Sequence, residues 1–154
     1  MKKKTILIIS LIVVIMTGSM ILVGNKFAKK DHEKQNGYSE IFTLSSTDKL
    51  AFVHYSDGKP MLFIADENGE TQELIDEKSA QHTISHLAFS SDGKKLLYIV
   101  NNKDLENNTS ELFEYDLENY TKHTLFVQED SIITEAIYSP DGASFYMLGA
   151  GTFE

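Results

Sequence analysis

A sequence motif that occurs three times predicts the fold of this chain. It is most complete as FSSDGKKLLYI at residues 89–99, and it returns as YSPDGASFYM at residues 138–147. An altered first copy reads LSSTDKLAFV at residues 44–53. The aspartates of successive copies are 44 and 49 residues apart. A unit that recurs every ~40–50 residues predicts a repeat architecture, and the rest of the chain is interpreted around it.

The sequence around each copy predicts short β-strands. Runs rich in Phe, Tyr, Ile, Val and Thr alternate with Asp-Gly and Asn-Gly turns, which suit tight hairpins because their central residues need positive φ. The predicted strands are 40–44, 50–55, 61–65, 71–75, 84–90, 95–100, 111–116, 122–127, 134–138 and 145–149. Four antiparallel strands per ~40–45 residues form one β-propeller blade. The predicted fold class is therefore all-β, with about two and a half propeller blades.

Two stretches resemble the WD40-like blades of the TolB propeller family. The first is ISHLAFSSDGKKL at residues 84–96 followed by ELFEYDL at 111–117, and the second is ITEAIYSPDG at 133–142. The family pattern places an aromatic residue before a Pro-Asp-Gly turn that Lys-Lys-Leu follows. The first repeat departs from it, with Thr-Asp-Lys at 47–49. The resemblance covers residues 40–148 and implies a propeller fold without specifying a ligand.

The residues that the repeat singles out have structural roles in this interpretation. The aromatic residue is expected to pack between neighbouring sheets, the aspartate to accept hydrogen bonds within its own turn, and the glycine to adopt positive φ. These turn and core residues are Asp48, Phe89, Asp92, Gly93, Tyr138, Pro140, Asp141 and Gly142. No catalytic or cofactor-binding residue is predicted, and no cofactor is expected.

Three polar patterns resemble functional sites, but each favours a structural interpretation. His82 and His86 would share one face of a regular strand at about 13 Å, too far apart to ligate one ion. The acidic turn at 66–70 lacks the ligand spacing of a calcium loop. The overlapping glycosylation sequons at 107–110 are interpreted as part of a polar, exposed loop. No metal site is therefore predicted.

The first 23 residues differ from the rest of the chain. Three lysines within residues 1–4 precede an uncharged, mostly apolar run at 5–23, which is long enough to cross a bilayer as one helix. We predict an uncleaved transmembrane signal anchor, with a cleaved signal peptide as the alternative. Lysines flank both sides of the span, and the short head favours export of the C-terminal part. The predicted location is the cell membrane, single-pass, with an extracytoplasmic domain.

The remaining boundaries follow from composition and from the repeat. A charged linker is predicted at 24–37 and a partial propeller at 38–154, with blades at about 38–78, 79–128 and 129–154, the last incomplete. From Gly37 onward there are 7 lysines, no arginine and 21 acidic residues, which is a net charge of −14. A domain this acidic repels nucleic acid. The chain has no cysteine, so disulfides do not contribute to its stability.

The preferred functional hypothesis is a non-catalytic module that binds a protein, peptide or glycan. The alternatives are the N-terminal propeller of a hydrolase or peptidase whose catalytic residues lie beyond this chain, and a truncated remnant without function. Two and a half blades fall short of the roughly 4–8 that close a propeller. This shortfall predicts a longer protein, with self-association through open blade edges or a small open stack as the other possibilities.

Overall fold

The computed structural model describes residues 34–104 and 108–151, which form ten β-strands in three antiparallel sheets. The predicted signal anchor at 5–23 lies outside the described residues, as does the linker up to residue 33. No helix among the described residues is both long and apolar enough to cross a membrane.

The first two sheets each contain four strands that pair in sequence order. The first sheet consists of β1 (Gly37–Leu44), β2 (Leu50–Ser56), β3 (Lys59–Ala65) and β4 (Gln72–Glu77). The second consists of β5 (His82–Phe89), β6 (Lys95–Asn102), β7 (Thr109–Asp116) and β8 (Thr121–Glu129). The third consists of β9 (Ser131–Tyr138) and β10 (Phe145–Gly151). The all-β prediction and the four-stranded antiparallel unit are confirmed.

The end of the predicted linker contacts the first sheet. Asp57 and Gly58 form the β2–β3 turn with φ values of 51° and 77°, as a two-residue hairpin requires. Their backbone N–H groups donate to the side-chain oxygen of Asn36 at 2.8 Å and to the carbonyl of Gln35 at 2.9 Å. Residues 34–36 therefore cap this hairpin.

The strand β6 shows why the middle sheet does not alternate in hydrophobicity. Successive side chains of a strand point to opposite faces. Leu96, Tyr98 and Val100 join the core against the first sheet, whereas Leu97 and Ile99 join the core against the third. Because both faces of the middle sheet are covered, β6 is apolar at every one of these positions.

A buried polar cluster joins the first and second sheets. The Tyr98 hydroxyl donates to Oδ2 of Asp76 at 2.8 Å, and Lys122 Nζ lies 3.2 Å from Oδ1. Lys78 Nζ also lies 3.2 Å from Oδ2, and both lysines lie over the Phe113 ring. Burial, followed by the nearby Asp76 carboxylate, raises the pKa of Tyr98 well above its usual range. The cluster fixes β4 of one sheet against β6 and β8 of the next.

The second and third sheets are joined by similar chemistry. The Tyr138 hydroxyl donates to Glu114 Oε2 at 2.9 Å, and Lys95 Nζ donates to the other carboxylate oxygen at 3.0 Å. Burial first, and the hydrogen bond to Glu114 second, raise the pKa of Tyr138 above its usual range. Each interface thus pairs a tyrosine hydroxyl of the later sheet with a carboxylate of the earlier one.

Ser110 corrects the interpretation of residues 107–110 as an exposed polar loop. It lies at the start of β7, is fully buried, and its Oγ accepts a hydrogen bond from Ile133 N at 2.9 Å. The same hydroxyl donates to Asn101, whose side-chain amide donates to Ser85 Oγ at 3.1 Å. The polar residue is tolerated inside because it satisfies a backbone N–H of the neighbouring sheet.

His86 breaks the regular strand geometry that the sequence interpretation assumed. The register of β5 and β6 shifts between Ser85 and Leu87, and His86 has a φ of 51° at this bulge. A bulge inserts one unpaired residue, so residues on either side of it no longer alternate regularly. The expectation that His82 and His86 share one face of a regular strand is therefore wrong.

Candidate functional site: a pocket at the repeated turns

The turn of the second repeat is built on hydrogen bonds between neighbouring residues. Ser90 Oγ donates to Asp92 Oδ1 at 2.6 Å and accepts from Lys95 N at 3.0 Å. Asp92 Oδ1 also accepts from Lys94 N at 3.1 Å, and Gly93 has a φ of 69°. The Ser90 hydroxyl, followed by the Lys94 N–H, holds the pKa of Asp92 below its usual range.

The third repeat has nearly the same geometry. Ser139 Oγ donates to Asp141 Oδ1 at 2.6 Å and accepts from Ser144 N at 3.0 Å. Asp141 accepts from Ala143 N at 3.1 Å, and Gly142 has a φ of 69°. The Ser139 hydroxyl is again the main cause that lowers the pKa of the aspartate. Pro140 is exposed at the tip of this turn.

The first repeat reaches a similar turn with one residue fewer. Ser45 N donates to Lys49 O at 2.8 Å, and Ser45 Oγ accepts from Lys49 N at 2.9 Å and from Thr47 N at 3.2 Å. Asp48 has a φ of 59° and so takes the left-handed conformation that glycine takes in the other copies. The departure at 47–49 is therefore a shorter turn, and aspartate tolerates its positive φ better than most residues do.

The serine before each turn is a residue that sequence reasoning did not single out. Ser45, Ser90 and Ser139 are all buried, and each closes its turn through both its backbone and its hydroxyl. The signal was present in the sequence, since serine occupies this position in all three copies.

The two aromatic residues of the motif lie at the interfaces between sheets. Phe89 packs against the core between the first and second sheets, and Tyr138 packs against the core between the second and third. Of the eight residues that the repeat singled out, the three aspartates, the two glycines and the proline lie in the turns. The two aromatic rings lie at the cores between the sheets.

The three turns surround a pocket of about 430 Å³. The first strands of the three sheets reach it together, because β5 contacts β1 on one side and β9 on the other. Ser46 Oγ donates to Ser91 O at 2.9 Å and so ties the first turn to the second. The lining residues are Thr43, Leu44, Ser45, Ser46, His86, Leu87, Ala88, Phe89, Ser90, Ser91, Ile137, Tyr138, Ser139 and Pro140.

The pocket is lined by both polar and apolar residues. The lining residues offer hydroxyl and backbone groups beside apolar residues such as Leu87 and Phe89, and they include no carboxylate, lysine or arginine. The volume lies in the range of small-ligand sites, which are largely apolar with a few convergent polar groups. The pocket therefore suits an uncharged group.

His86 is one of the lining residues, and it carries a ring nitrogen that the protein itself does not satisfy. Its Nε2 is buried and has no hydrogen-bond partner among the described residues. Buried polar atoms without a partner are uncommon, because leaving one unpaired costs about 1–3 kcal/mol. Within residues 34–104 and 108–151, no group of three or more His, Asp or Glu side chains could hold a metal ion.

Comparison with protein-family models and with curated proteins finds no match. Solved structures do match. TolB from Acinetobacter baumannii is 25% identical with a TM-score of 0.55, and the match covers 71% of this chain and 26% of TolB. The β-propeller domain of the Trilobed protease from Pyrococcus furiosus is 16% identical with a TM-score of 0.55, over 75% of this chain and 34% of that one.

A prolyl endopeptidase structure is 16% identical with a TM-score of 0.52, over 74% of this chain and 17% of the endopeptidase. The chain thus spans between about a sixth and a third of the length of these structures. The sheets, their order and these similarities lead to one conclusion: the described part of this chain has a TolB-like β-propeller fold.

Proposed function

We propose that this chain is a membrane-anchored, extracytoplasmic propeller module that binds a segment of a protein, a peptide or a glycan and performs no chemistry of its own. The observation that carries the proposal is the neutral pocket at the repeated turns. It contrasts with a domain whose net charge from residue 37 onward is −14. A neutral lining in an acidic surface selects a ligand by hydrogen bonding and apolar contact rather than by ion pairing.

A panel of peptides and a glycan array, presented to the purified full chain, test this proposal. Ser91 is exposed and lines the pocket, so Ser91→Arg places a long cation at the pocket mouth without disturbing the core. We expect Ser91→Arg to abolish the binding of any selected ligand. Ser56→Arg is the matched control, because Ser56 is exposed at the end of β2 and does not line the pocket.

Two results would contradict the proposal. One is that neither library yields a ligand for the full chain. The other is that Ser91→Arg binds the selected ligand as well as Ser56→Arg does, which would place the binding surface away from the pocket.

The membrane anchor rests on the uncharged run at 5–23 and on the lysines before it. We expect the full chain to stay in the membrane fraction after alkaline carbonate washing. Protease added outside intact cells should degrade the propeller part. Release of the chain by carbonate would contradict the anchor, and protection from the protease would contradict the orientation.

A second candidate is the propeller part of a hydrolase or peptidase. The observation that favours it is the similarity to the propeller domain of a protease and to a prolyl endopeptidase structure. In that case the catalytic residues lie beyond this chain. A Gly-x-Ser-x-Gly sequence in the reading frame after residue 154 would favour this candidate, because that motif presents a nucleophilic serine.

A further inference from the structure

The chain contains two Asn-Gly pairs, at residues 36–37 and 68–69. In such a pair the backbone nitrogen of the glycine can attack the asparagine side chain, because glycine has no Cβ to hinder the approach. Both asparagines are exposed, so exposure does not distinguish them. The hydrogen bonds around them do.

The side chain of Asn36 is held at both ends. Its Oδ1 accepts a hydrogen bond from Asp57 N at 2.8 Å, and its Nδ2 donates to the carbonyl of Lys34 at 2.9 Å. Gly37, which would supply the attacking nitrogen, pairs with Tyr55 across β1 and β2. Asn36 therefore turns its side-chain carbonyl toward the Gly37 nitrogen only after two side-chain hydrogen bonds have broken.

The side chain of Asn68 has no such restraint. Asn68 lies in the turn between β3 and β4, and its side chain makes no hydrogen bond within residues 34–104 and 108–151. The turn is shaped by Asp66, whose carbonyl accepts from Gly69 N at 3.0 Å and whose Oδ1 accepts from Glu70 N at 2.9 Å. A Cβ added at Gly69 would meet nothing within 4 Å, so the space beside this glycine is open. Attack on Asn68 therefore requires one hydrogen bond to open, the one that Gly69 N donates.

We propose that Asn68 is a site of spontaneous covalent modification, at which asparagine converts to a mixture of isoaspartate and aspartate, whereas the fold protects Asn36. The Gly69 nitrogen loses its proton to hydroxide and attacks Cγ of Asn68. A bond forms between these two atoms and closes a succinimide ring. The Cγ–Nδ2 bond breaks, and Nδ2 leaves as ammonia with a proton from water.

Water then opens the ring at either of its two carbonyl carbons, and no atom is oxidised or reduced. Opening at Cγ leaves an aspartate at position 68. Opening at the backbone carbonyl leaves an isoaspartate, in which the main chain runs through the former side chain and is one methylene longer. Both products add a carboxylate to a turn that already carries Asp66, Glu67 and Glu70. Because Asp66 and Glu67 line a pocket of about 490 Å³, the modification adds negative charge beside that pocket.

Peptide mapping tests the proposal on the full chain, purified in mild detergent and incubated at mildly alkaline pH. Trypsin separates the two pairs, since residues 35–49 contain Asn36 and residues 50–78 contain Asn68, and the bond between Lys59 and Pro60 resists trypsin. Mass spectrometry measures the deamidated fraction of each peptide over time. An isoaspartyl methyltransferase assay then detects isoaspartate. Asn68→Gln is the control that assigns the change in residues 50–78 to position 68.

We expect Asn68 to deamidate about five- to tenfold faster than Asn36 in the folded chain, because one more hydrogen bond must break at Asn36. In concentrated guanidinium chloride both pairs lose these bonds, so the ratio of the two rates should fall toward one. Residues 50–78 of Asn68→Gln should show no deamidation over the same period. Circular dichroism confirms that this variant is folded.

Three outcomes would overturn the proposal. The first is that Asn36 deamidates as fast as Asn68 in the folded chain, or that neither does so. The second is that the ratio of the rates is the same in guanidinium chloride, which would assign the preference to the neighbouring sequence instead of the fold. The third is aspartate without isoaspartate, which would exclude the succinimide. Since residues 68 and 69 do not line the pocket at the repeated turns, these outcomes are independent of ligand binding there.

Discussion

Replacing the turn glycines by alanine separates the cost of a positive φ from the cost of a steric clash, because the two turns have nearly the same geometry. Gly93 and Gly142 have the same φ of 69°, and each N–H donates to the carbonyl of the preceding serine, Ser90 or Ser139, at 2.9 Å. A side chain at positive φ costs about 1–2 kcal/mol in either turn. The added Cβ would meet nothing within 4 Å at Gly142.

At Gly93 the added Cβ would also collide with a neighbouring repeat. It would lie 2.5 Å from Thr47 Oγ1 and 2.9 Å from Thr47 Cγ2. Overpacking of this kind costs about 1–3 kcal/mol. We expect Gly142→Ala to lower the free energy of unfolding by about 1–2 kcal/mol and Gly93→Ala by about 2–5 kcal/mol. Thr47→Ala in the Gly93→Ala background should recover much of the difference.

Urea unfolding of the full chain in mild detergent, followed by far-UV circular dichroism, measures these changes. The slope of the transition should stay constant, so that midpoint shifts report stability. The chain has no tryptophan, and tyrosine fluorescence provides the second probe. Equal losses for Gly93→Ala and Gly142→Ala, or no recovery with Thr47→Ala, would refute the reasoning.

Three further perturbations test the contacts between and within the sheets. Tyr98→Phe removes the hydroxyl that donates to Asp76, so the free energy of unfolding in urea should fall by about 1.5–3 kcal/mol. A fall under about 0.5 kcal/mol would contradict the role of the cluster. Ser110→Ala leaves the buried Ile133 N–H without its acceptor, so the free energy of unfolding should fall by about 1–3 kcal/mol in the same measurement. Wild-type stability would contradict the hydrogen bond between Ser110 and Ile133. Because the folded pKa of Asp92 lies below its unfolded value, its contribution to stability is complete above about pH 4 and is lost as the pH falls through the folded value. The melting temperature should therefore fall on acidification below about pH 4, and less so in Asp92→Asn; an equal fall in both would contradict the turn hydrogen bonds.

Most of the fold could be predicted because the same pattern of apolar residues and turn residues occurs three times in the sequence. Alternating apolar residues and Asp-Gly turns depend on neighbouring residues, so strands and hairpins are readable from the sequence. The pocket could not be predicted, because its lining comes from three turns that are about 45 residues apart in sequence. The unpaired His86 nitrogen could not be predicted for a related reason, since the pattern of apolar residues in β5 does not indicate a bulge at residue 86.

The all-β class, the four-stranded unit and the aspartate–glycine turns follow from the sequence alone, since each depends on contacts within or between neighbouring hairpins. The packing of the sheets sets which residues of β6 face which neighbour, buries Ser110 as an acceptor for Ile133, and brings Asp76 to Tyr98 across two sheets. These depend on how separate sheets pack, and packing joins residues whose distance along the chain carries no local signal. The motif that recurs three times therefore specifies the blades, and the packing of the blades creates the pocket.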